Sequence, residues 1–271
     1  MARLIPLATA IAELVAPGST VALEGFTHLI PFAAAAEIIR QRIGHLTLVR
    51  LTPDLVADWL IGVGLVDRLI FSWGGNPGVG SLHRFRDSVQ QGWPRPLELE
   101  EHSHAGLVNR YVAGAAGLPF AVLRAYAGTS LNGIHPNIRS ITCPFTGEEL
   151  AAVPALNPDV GIVHAQQADR DGNVMIWGIT GVQKEVILAS KRSLVTVEEV
   201  VDEFGEHANS IRIPEFLIDA VAVVPGGARP SYASGYYDRD NDFYLAWDRI
   251  ARDRDGFLAW IREHVERRAD A

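Results

Sequence analysis

"LVDRLIFSWGGNPGVGSLHRF", residues 65–85, holds the pattern that decides the fold: an apolar run, a glycine-rich loop and the start of a helical period. The run 65–71 predicts a buried strand, and a helical pattern resumes at Ser81. The loop between them contains four glycines, a proline and an asparagine, which is more than a turn requires. Because glycine has no Cβ atom, this composition indicates that something approaches the backbone closely.

The rest of the chain repeats this alternation of apolar runs and helical periods. Strands are predicted over 20–26, 46–51, 68–73, 97–102, 121–128, 160–168, 193–201 and 218–227. Helices are predicted over 9–15, 33–42, 55–63, 81–91, 105–116, 180–190 and 241–267, and Gly256 interrupts the last, which is one helix or two. Several strands are continuously apolar, as in sheets covered on both faces. We therefore predict an α/β fold with an open, mainly parallel sheet and helices on both faces.

One segment, residues 127–158, breaks this pattern. It has turn residues throughout and little periodicity. A connection of this length is uncommon in a compact domain, so it predicts a small irregular or antiparallel insertion, a functional excursion or an oligomer contact. No linker divides the chain, and residues 1–271 are predicted to form a single domain.

Composition excludes several classes of function. The formal net charge is −8 and only Lys184 and Lys191 are lysines, so no basic stripe is available for nucleic acid. The single cysteine, Cys143, excludes an internal disulfide and a thiolate-rich metal cluster, and no metal is predicted. No apolar run is long enough to cross a bilayer, and the first fifteen residues favour a surface helix over a signal peptide. We expect a cytoplasmic protein with no membrane partner.

Four predicted strands end in polar or glycine-rich turns, at residues 24–28, 74–80, 100–104 and 226–232. The carboxyl ends of parallel strands share one edge of a sheet, where ligands bind, so these turns could line one cleft. Neither the phosphate-loop lysine nor the spacing of a dinucleotide fingerprint is present.

Titratable residues also lie at these ends. Glu100, Glu101 and His104 could perform acid and base chemistry, although ordinary exposed glutamates are the alternative. His102 and His104 could face the same way as a metal pair, or be polar cleft residues. Cys143 has no adjacent histidine and no G-x-S-x-G stretch occurs, so the chain has a predicted cleft without an evident nucleophile.

Six ordered segments resemble the A subunit of family I CoA-transferases, of the glutaconate CoA-transferase type. They are "GFTHLIPFAAAAEIIR", "LTPDLVADWLIG", "FSWGGNPGVGSLHRFRD", "LEEHSHAGLVNRYVAGAAGLPF", "CPFTGEELAAVPALNPDVGIVHAQQADRDGNVMIWG" and "VPGGARPSYASGYYDRDNDFY". The resemblance covers nearly the whole chain. It implies the CoA-transferase superfamily fold and a B subunit of similar architecture, with the active site between the two chains and an A2B2 assembly.

The resemblance also implies a reaction. Family enzymes exchange CoA between an acyl-CoA and a free carboxylic acid through a glutamyl-CoA thioester. The nucleophilic glutamate lies in a Ser-Glu-Asn-Gly type stretch of the B subunit, and this chain has no such stretch. A CoA thioester is then a substrate, no permanently bound cofactor is expected, and the chain alone is expected to be inactive.

What remains for this chain is substrate binding and stabilisation of the oxyanion. The candidate oxyanion donors are Gly25, Phe26, Gly74, Gly75, Asn76 and Gly78. Ser72, Ser81 and Arg110 are candidates for an acyl carboxylate, with Arg110 alternatively a solvated helix residue. Two other functions stay open: a CoA-thioester hydrolase or ring-opening hydrolase that uses Glu101 or His104, and a non-catalytic ligand sensor.

Overall fold

The computed structural model describes residues 2–131 and 135–267. Within them the chain forms β1 Arg3–Leu4, β2 Thr20–Glu24, β3 Leu46–Arg50, β4 Val66–Phe71, β5 Glu98–Glu101, β6 Phe120–Leu123, β7 Arg139–Thr142, β8 Glu149–Pro154, β9 Val160–Asp169, β10 Val174–Ile176, β11 Arg192–Val201, β12 Ile211–Ile213 and β13 Ala220–Val223. Ten of these strands make a large sheet and three make a small one.

The helices alternate with the strands of the large sheet. They are α1 Leu7–Leu14, α2 Phe32–Arg40, α3 Leu55–Gly62, α4 His83–Gln91, α5 His104–Ala115, α6 Gln183–Ala189, α7 Asn241–Arg252 and α8 Arg254–Ile261, with a 3₁₀ turn at Glu215–Leu217 and a π-helical turn at Arg262–Glu266. In the described part of the chain, no helix has the length and apolar character needed to span a membrane.

The large sheet is open and mainly parallel, which confirms the prediction. Its main path runs β1-β13-β11-β9-β2-β3-β4-β5, and neighbours along that path are parallel. The short β10 and β12 add an antiparallel ribbon beside β9. Parallel neighbours need crossover connections, and α2 and α3 are examples.

Helices cover both faces of the sheet, and the alternation of side chains along each strand supplies the two cores. On one face Leu23 and Leu48 pack in a core with α1, α2, α3, α7 and α8. On the other, Ala22 and Val49 pack in a core with α5 and α6. Successive residues of one strand therefore point to different helix layers.

The small sheet is the antiparallel insertion predicted from the sequence. Its order is β6-β8-β7, and both pairs are antiparallel. Residues 121–128, predicted as a strand alongside those of the main sheet, instead contribute β6 to this insertion. Residues 132–134 of the predicted 127–158 segment lie outside the described residues.

The last predicted helix, 241–267, divides into α7, α8 and the π-helical turn. The division falls at Asp253 rather than at Gly256, because the Asp253 side chain caps α8 by accepting a hydrogen bond from the Gly256 N–H at 2.7 Å.

Candidate active site at the carboxyl edge of the sheet

The order of strands reverses between β2 and β9. From β2 the chain builds outward through β3 and β4 to β5, and from β9 it builds in the opposite direction through β11 to β13. In open α/β sheets the crevice outside the carboxyl ends at such a switch point is where ligands bind. Gly25 and Phe26 follow β2 directly, so they lie at this point.

The turn after β2 is held by distant parts of the chain. A Cβ at Gly25 would lie 2.5 Å from the Leu29 carbonyl oxygen, so this position requires glycine. His28 is fully buried; its Nδ1 lies 3.1 Å from the Ile179 carbonyl oxygen and its Nε2 accepts from the Ser234 N–H at 2.9 Å. Burial lowers the pKa of His28, which keeps the ring neutral in this role.

The glycine-rich loop after β4 has a buried base and an exposed crest. At the base, Gly75 N–H donates to the Pro53 carbonyl at 3.1 Å, and Asn76 donates from its side chain to the Tyr244 carbonyl at 2.8 Å. At the crest, Gly74 and Gly78 are exposed, and neither N–H has an acceptor in the described part of the chain. Substrate could approach the crest, whereas Asn76 faces α7.

The two candidate serines lie at the two ends of this loop. Ser72 is committed to the neighbouring strand end, because its hydroxyl donates to the Leu51 carbonyl at 2.6 Å. Ser81 accepts from the Arg86 guanidinium at 3.2 Å and is half-buried.

Arg110 points inward from α5 and forms an ion pair with the buried Glu100. Glu100 also accepts from Arg68, from His102 at 2.9 Å and from Asn137 at 2.8 Å. Burial would raise the pKa of Glu100, but the His102 hydrogen bond and the charge of Arg110 hold it well below its usual range. Arg110 is thus a buried member of a network that joins the small sheet to β5.

Glu101 and His104, the candidate acid and base, are both exposed. Glu101 is the last residue of β5, and His104 is the first residue of α5. Ser103 caps this helix by accepting a hydrogen bond from the Gly106 N–H at 3.0 Å. His102 is fully buried beside the Tyr126 hydroxyl at 3.0 Å, so it does not share the surroundings of His104. The Gly25 turn thus follows β2 at the switch point, and the Gly74–Gly78 loop follows β4, two strands away. Glu101 and His104 lie at the end of β5, the outermost strand beside β4.

Sequence reasoning missed a buried polar cluster next to the switch point. Glu24, at the end of β2, is 1% exposed and accepts from the Leu51 N–H at 2.7 Å and the Tyr111 hydroxyl at 3.1 Å. Arg50, at the end of β3, is fully buried and pairs with Asp54 at 2.9 Å. Burial raises the pKa of Glu24 to about 7, opposed by the charge of Arg50. A charged residue ending a strand that is covered on both faces is the signal that could have found it.

A second buried group holds the turn after β13. His164 lies 2.7 Å from both Thr196 Oγ1 and Glu198 Oε1. Glu198 also accepts from the Tyr237 hydroxyl at 2.5 Å and the Gly226 N–H at 2.6 Å. Burial would raise the pKa of Glu198, but these hydrogen bonds lower it. The 226–237 segment is thereby fixed against the sheet edge.

An apolar groove of about 370 Å³ lies elsewhere, on the small sheet. Phe120, Ile141 and Val153 are among the residues that line it. It lacks the convergence of fixed turns and buried titratable groups that marks the switch point, so we place the candidate site at the switch point.

Comparison with known proteins identifies the family. The sequence profile described as "Coenzyme A transferase" matches residues 5–223. The chain belongs to the coenzyme A transferase family. It is 63% identical over 265 residues to the A subunit of 3-oxoadipate CoA-transferase from Pseudomonas knackmussii, covering 98% of this chain and 94% of that protein.

The A subunit of glutaconate CoA-transferase from Acidaminococcus fermentans is 35% identical over 287 residues, covering 98% of this chain and 88% of that one. The crystal structure of glutaconate coenzyme A-transferase from the same organism superimposes with a TM-score of 0.90 at 33% identity, over 98% of this chain and 89% of that one. These similarities confirm the predicted fold and the prediction that this chain is the A subunit of a family I CoA-transferase. Members of this family use CoA thioesters as substrates.

Proposed function

We propose that this chain pairs with a B subunit to transfer CoA between a short dicarboxylyl-CoA and an oxo-dicarboxylic acid of the 3-oxoadipate type. The observation that carries this proposal is the 63% identity, along almost the full length of both chains, to the A subunit of a 3-oxoadipate CoA-transferase. We propose an A2B2 assembly, since two-fold pairing is common among oligomers, and expect it in the cytoplasm.

The role proposed for this chain is to bind the thioester and stabilise its oxyanion. A glutamate carboxylate of the partner chain attacks the thioester carbonyl and expels CoA thiolate, which leaves a mixed anhydride of the glutamate and the donor acid. The thiolate then attacks the glutamyl carbonyl and expels the donor carboxylate, which gives the glutamyl-CoA thioester, and the acceptor acid reverses these steps. Each tetrahedral intermediate carries an oxyanion. The donors that we propose for it are the exposed N–H groups of Gly74 and Gly78, after β4, and those of the turn at Gly25 and Phe26, after β2.

Among the candidates for the acyl carboxylate, the contacts favour Ser81 over Ser72 and Arg110. Ser72 and Arg110 already bind Leu51 and Glu100 within the chain. Ser81 is half-buried, and within residues 2–131 and 135–267 its hydroxyl bonds only to the guanidinium of the exposed Arg86, which a substrate carboxylate could displace or share.

The test is an exchange assay with and without the partner. Purify this chain, its B-type partner and the complex, and follow formation of 3-oxoadipyl-CoA from succinyl-CoA and 3-oxoadipate. We expect turnover by the complex and none by either chain alone. Full turnover by this chain alone would contradict the proposal.

The hydrolase function needs Glu101 or His104 to activate water. In Glu101→Gln a hydrolase should lose nearly all thioester cleavage, whereas a transferase should keep most of its exchange rate, because Glu101 is exposed on the end strand β5. His104→Gln is the matched variant at the start of α5. Release of free CoA without acceptor acid, abolished by either variant, would favour the hydrolase.

A further inference from the structure

The carboxyl group of Glu24 connects the ends of three neighbouring strands. It accepts from the Leu51 N–H, just after β3, at 2.7 Å. The Leu51 carbonyl in turn accepts from both the Ser72 N–H at 3.2 Å and the Ser72 hydroxyl at 2.6 Å, just after β4. A single residue, Leu51, therefore transmits the position of Glu24 to the start of the glycine-rich loop.

Arg50 holds the same strand ends from the opposite face of the sheet. Side chains alternate along each strand, so Glu24 lies on the same side of the sheet as Ala22, which packs with α5, and Arg50 lies on the same side as Leu48, which packs with α3. The Arg50 guanidinium donates to the Leu23 carbonyl at 2.6 Å and the Gly25 carbonyl at 3.2 Å. Hydrogen bonds on both faces of the sheet thus hold the strand ends beside the Gly25 turn.

A buried carboxyl group at this position needs a reason, because an apolar residue of similar volume would usually stabilise the fold as well or better. The hydrogen bonds of Glu24 in the described part of the chain are all accepted ones, from Leu51 and Tyr111. Both bonds go to one oxygen, Oε1, and both are stronger to an ionised carboxylate than to a neutral acid, so a proton on Glu24 would weaken its hydrogen bond with Leu51.

We propose that Glu24 is a positioning residue for CoA transfer, whose carboxylate holds the Gly25 and Ser72 turns in the arrangement that the thioester oxyanion requires. This inference rests on the proposed function, since it assigns Glu24 a task only if those turns face the thioester. Glu24 acts through the backbone of the turns and does not itself touch the reacting atoms.

The titration of Glu24 gives this role a measurable signature. Burial raises its pKa to about 7, while Arg50, the Leu51 N–H and the Tyr111 hydroxyl lower it and Asp54 raises it again. Arg50 and Leu51 lie at the end of β3, Asp54 caps the start of α3, and Tyr111 lies on α5. On β9, the other strand that pairs with β2, the residue opposite Glu24 is the uncharged Val163. Transfer should therefore weaken as the pH falls through about 7.

The experiment measures kcat and KM of the complex with the B subunit from pH 5.5 to 8.5, with succinyl-CoA and 3-oxoadipate. For wild type we expect kcat to rise with a midpoint near 7. Glu24→Gln should remove this rise and lower kcat at pH 8.5 about tenfold, with KM changed less than about twofold, because an interaction realised only in the transition state is lost. Tyr111→Phe should move the midpoint to higher pH, since it removes a hydrogen bond that lowers the pKa of Glu24.

Asp58→Asn is the matched control. Asp58 is also a fully buried carboxyl that accepts from one backbone N–H, of Phe85, and one side-chain donor, of Trp247. These two donors lie on α4 and α7, so Asp58 joins helices and not strand ends. It should leave the activity profile as in wild type.

A wild-type rise retained by Glu24→Gln, an unmoved midpoint in Tyr111→Phe, or an equal loss of kcat in Asp58→Asn would each overturn the inference. An active wild-type complex with any of these results leaves the proposed function standing. An inactive wild-type complex would instead overturn the proposed function and, with it, the role of Glu24.

Discussion

The buried carboxyl of Glu24 predicts that the protein loses stability as the pH rises. The pKa of this group is 4.5 in the unfolded chain and about 7 in the folded one, so between these values the folded state binds more protons. Its contribution to stability is complete below pH 4.5 and is lost as the pH rises through 7. One pKa unit corresponds to about 1.4 kcal/mol, so the full difference is about 3 kcal/mol, of which about 2 kcal/mol falls between pH 5.5 and 8.5.

Glu24→Gln removes this dependence. The Tm of the variant complex minus that of wild type should be about 4–8 °C larger at pH 8.5 than at pH 5.5. This value takes a Tm shift of about 2–4 °C for each 1 kcal/mol in a protein of this size. Asp58→Asn should show a smaller change with a lower midpoint, because burial raises the pKa of Asp58 only to about 6. Thermal unfolding of wild type and both variants in the same buffers measures the differences. A Tm difference between Glu24→Gln and wild type that is the same at both pH values would refute the reasoning.

Three further predictions test other parts of the structure. Arg110→Ala should destabilise the complex by about 3–5 kcal/mol in urea unfolding, because it leaves the buried Glu100 short of a partner; a loss below about 1 kcal/mol would show that the pair is not buried as described. Gly106→Ala should lower Tm by several degrees, because its Cβ would lie 1.6 Å from the Tyr126 hydroxyl. Adding Tyr126→Ala should restore part of the loss, and a double variant with no such gain in Tm would contradict the contact. Gly78→Ala should cost only about 1 kcal/mol, from its φ of +79° alone, since nothing lies within 4 Å of the added Cβ; a larger loss of stability would place the loop crest under other atoms.

The main sheet was predictable because its strands have a clear local pattern. Runs such as 160–168 and 193–201 are rich in apolar residues without a strict alternation and are bounded by turn residues, which is the pattern of strands buried on both faces. The three-residue β10 and β12 and the exposed β7 carry no such pattern. Pairing with β9 fixes β10, pairing with β10 fixes β12, and pairing with β8 fixes β7. Their existence depends on tertiary contacts that a local pattern does not contain.

The sequence predicts a candidate site at the strand ends, but it does not predict the contacts of the residues there. The glycines placed it at the strand ends, but the sequence does not say that Asn76 faces α7. For Arg110 a signal existed: it lies three residues after Leu107 and four before Gly114, on the buried face of α5. The link between Glu24 and Leu51 follows from strand register, which becomes visible only once β2 and β3 are paired.

The central claim is that this chain supplies the binding and oxyanion half of a site whose nucleophile lies on another chain. The most direct measurement is mass spectrometry of the complex with its B-type partner, trapped after incubation with succinyl-CoA in the absence of acceptor acid. CoA attached to a glutamate of the partner chain, and none on this chain, is the expected result. CoA attached to a residue of this chain would contradict the account.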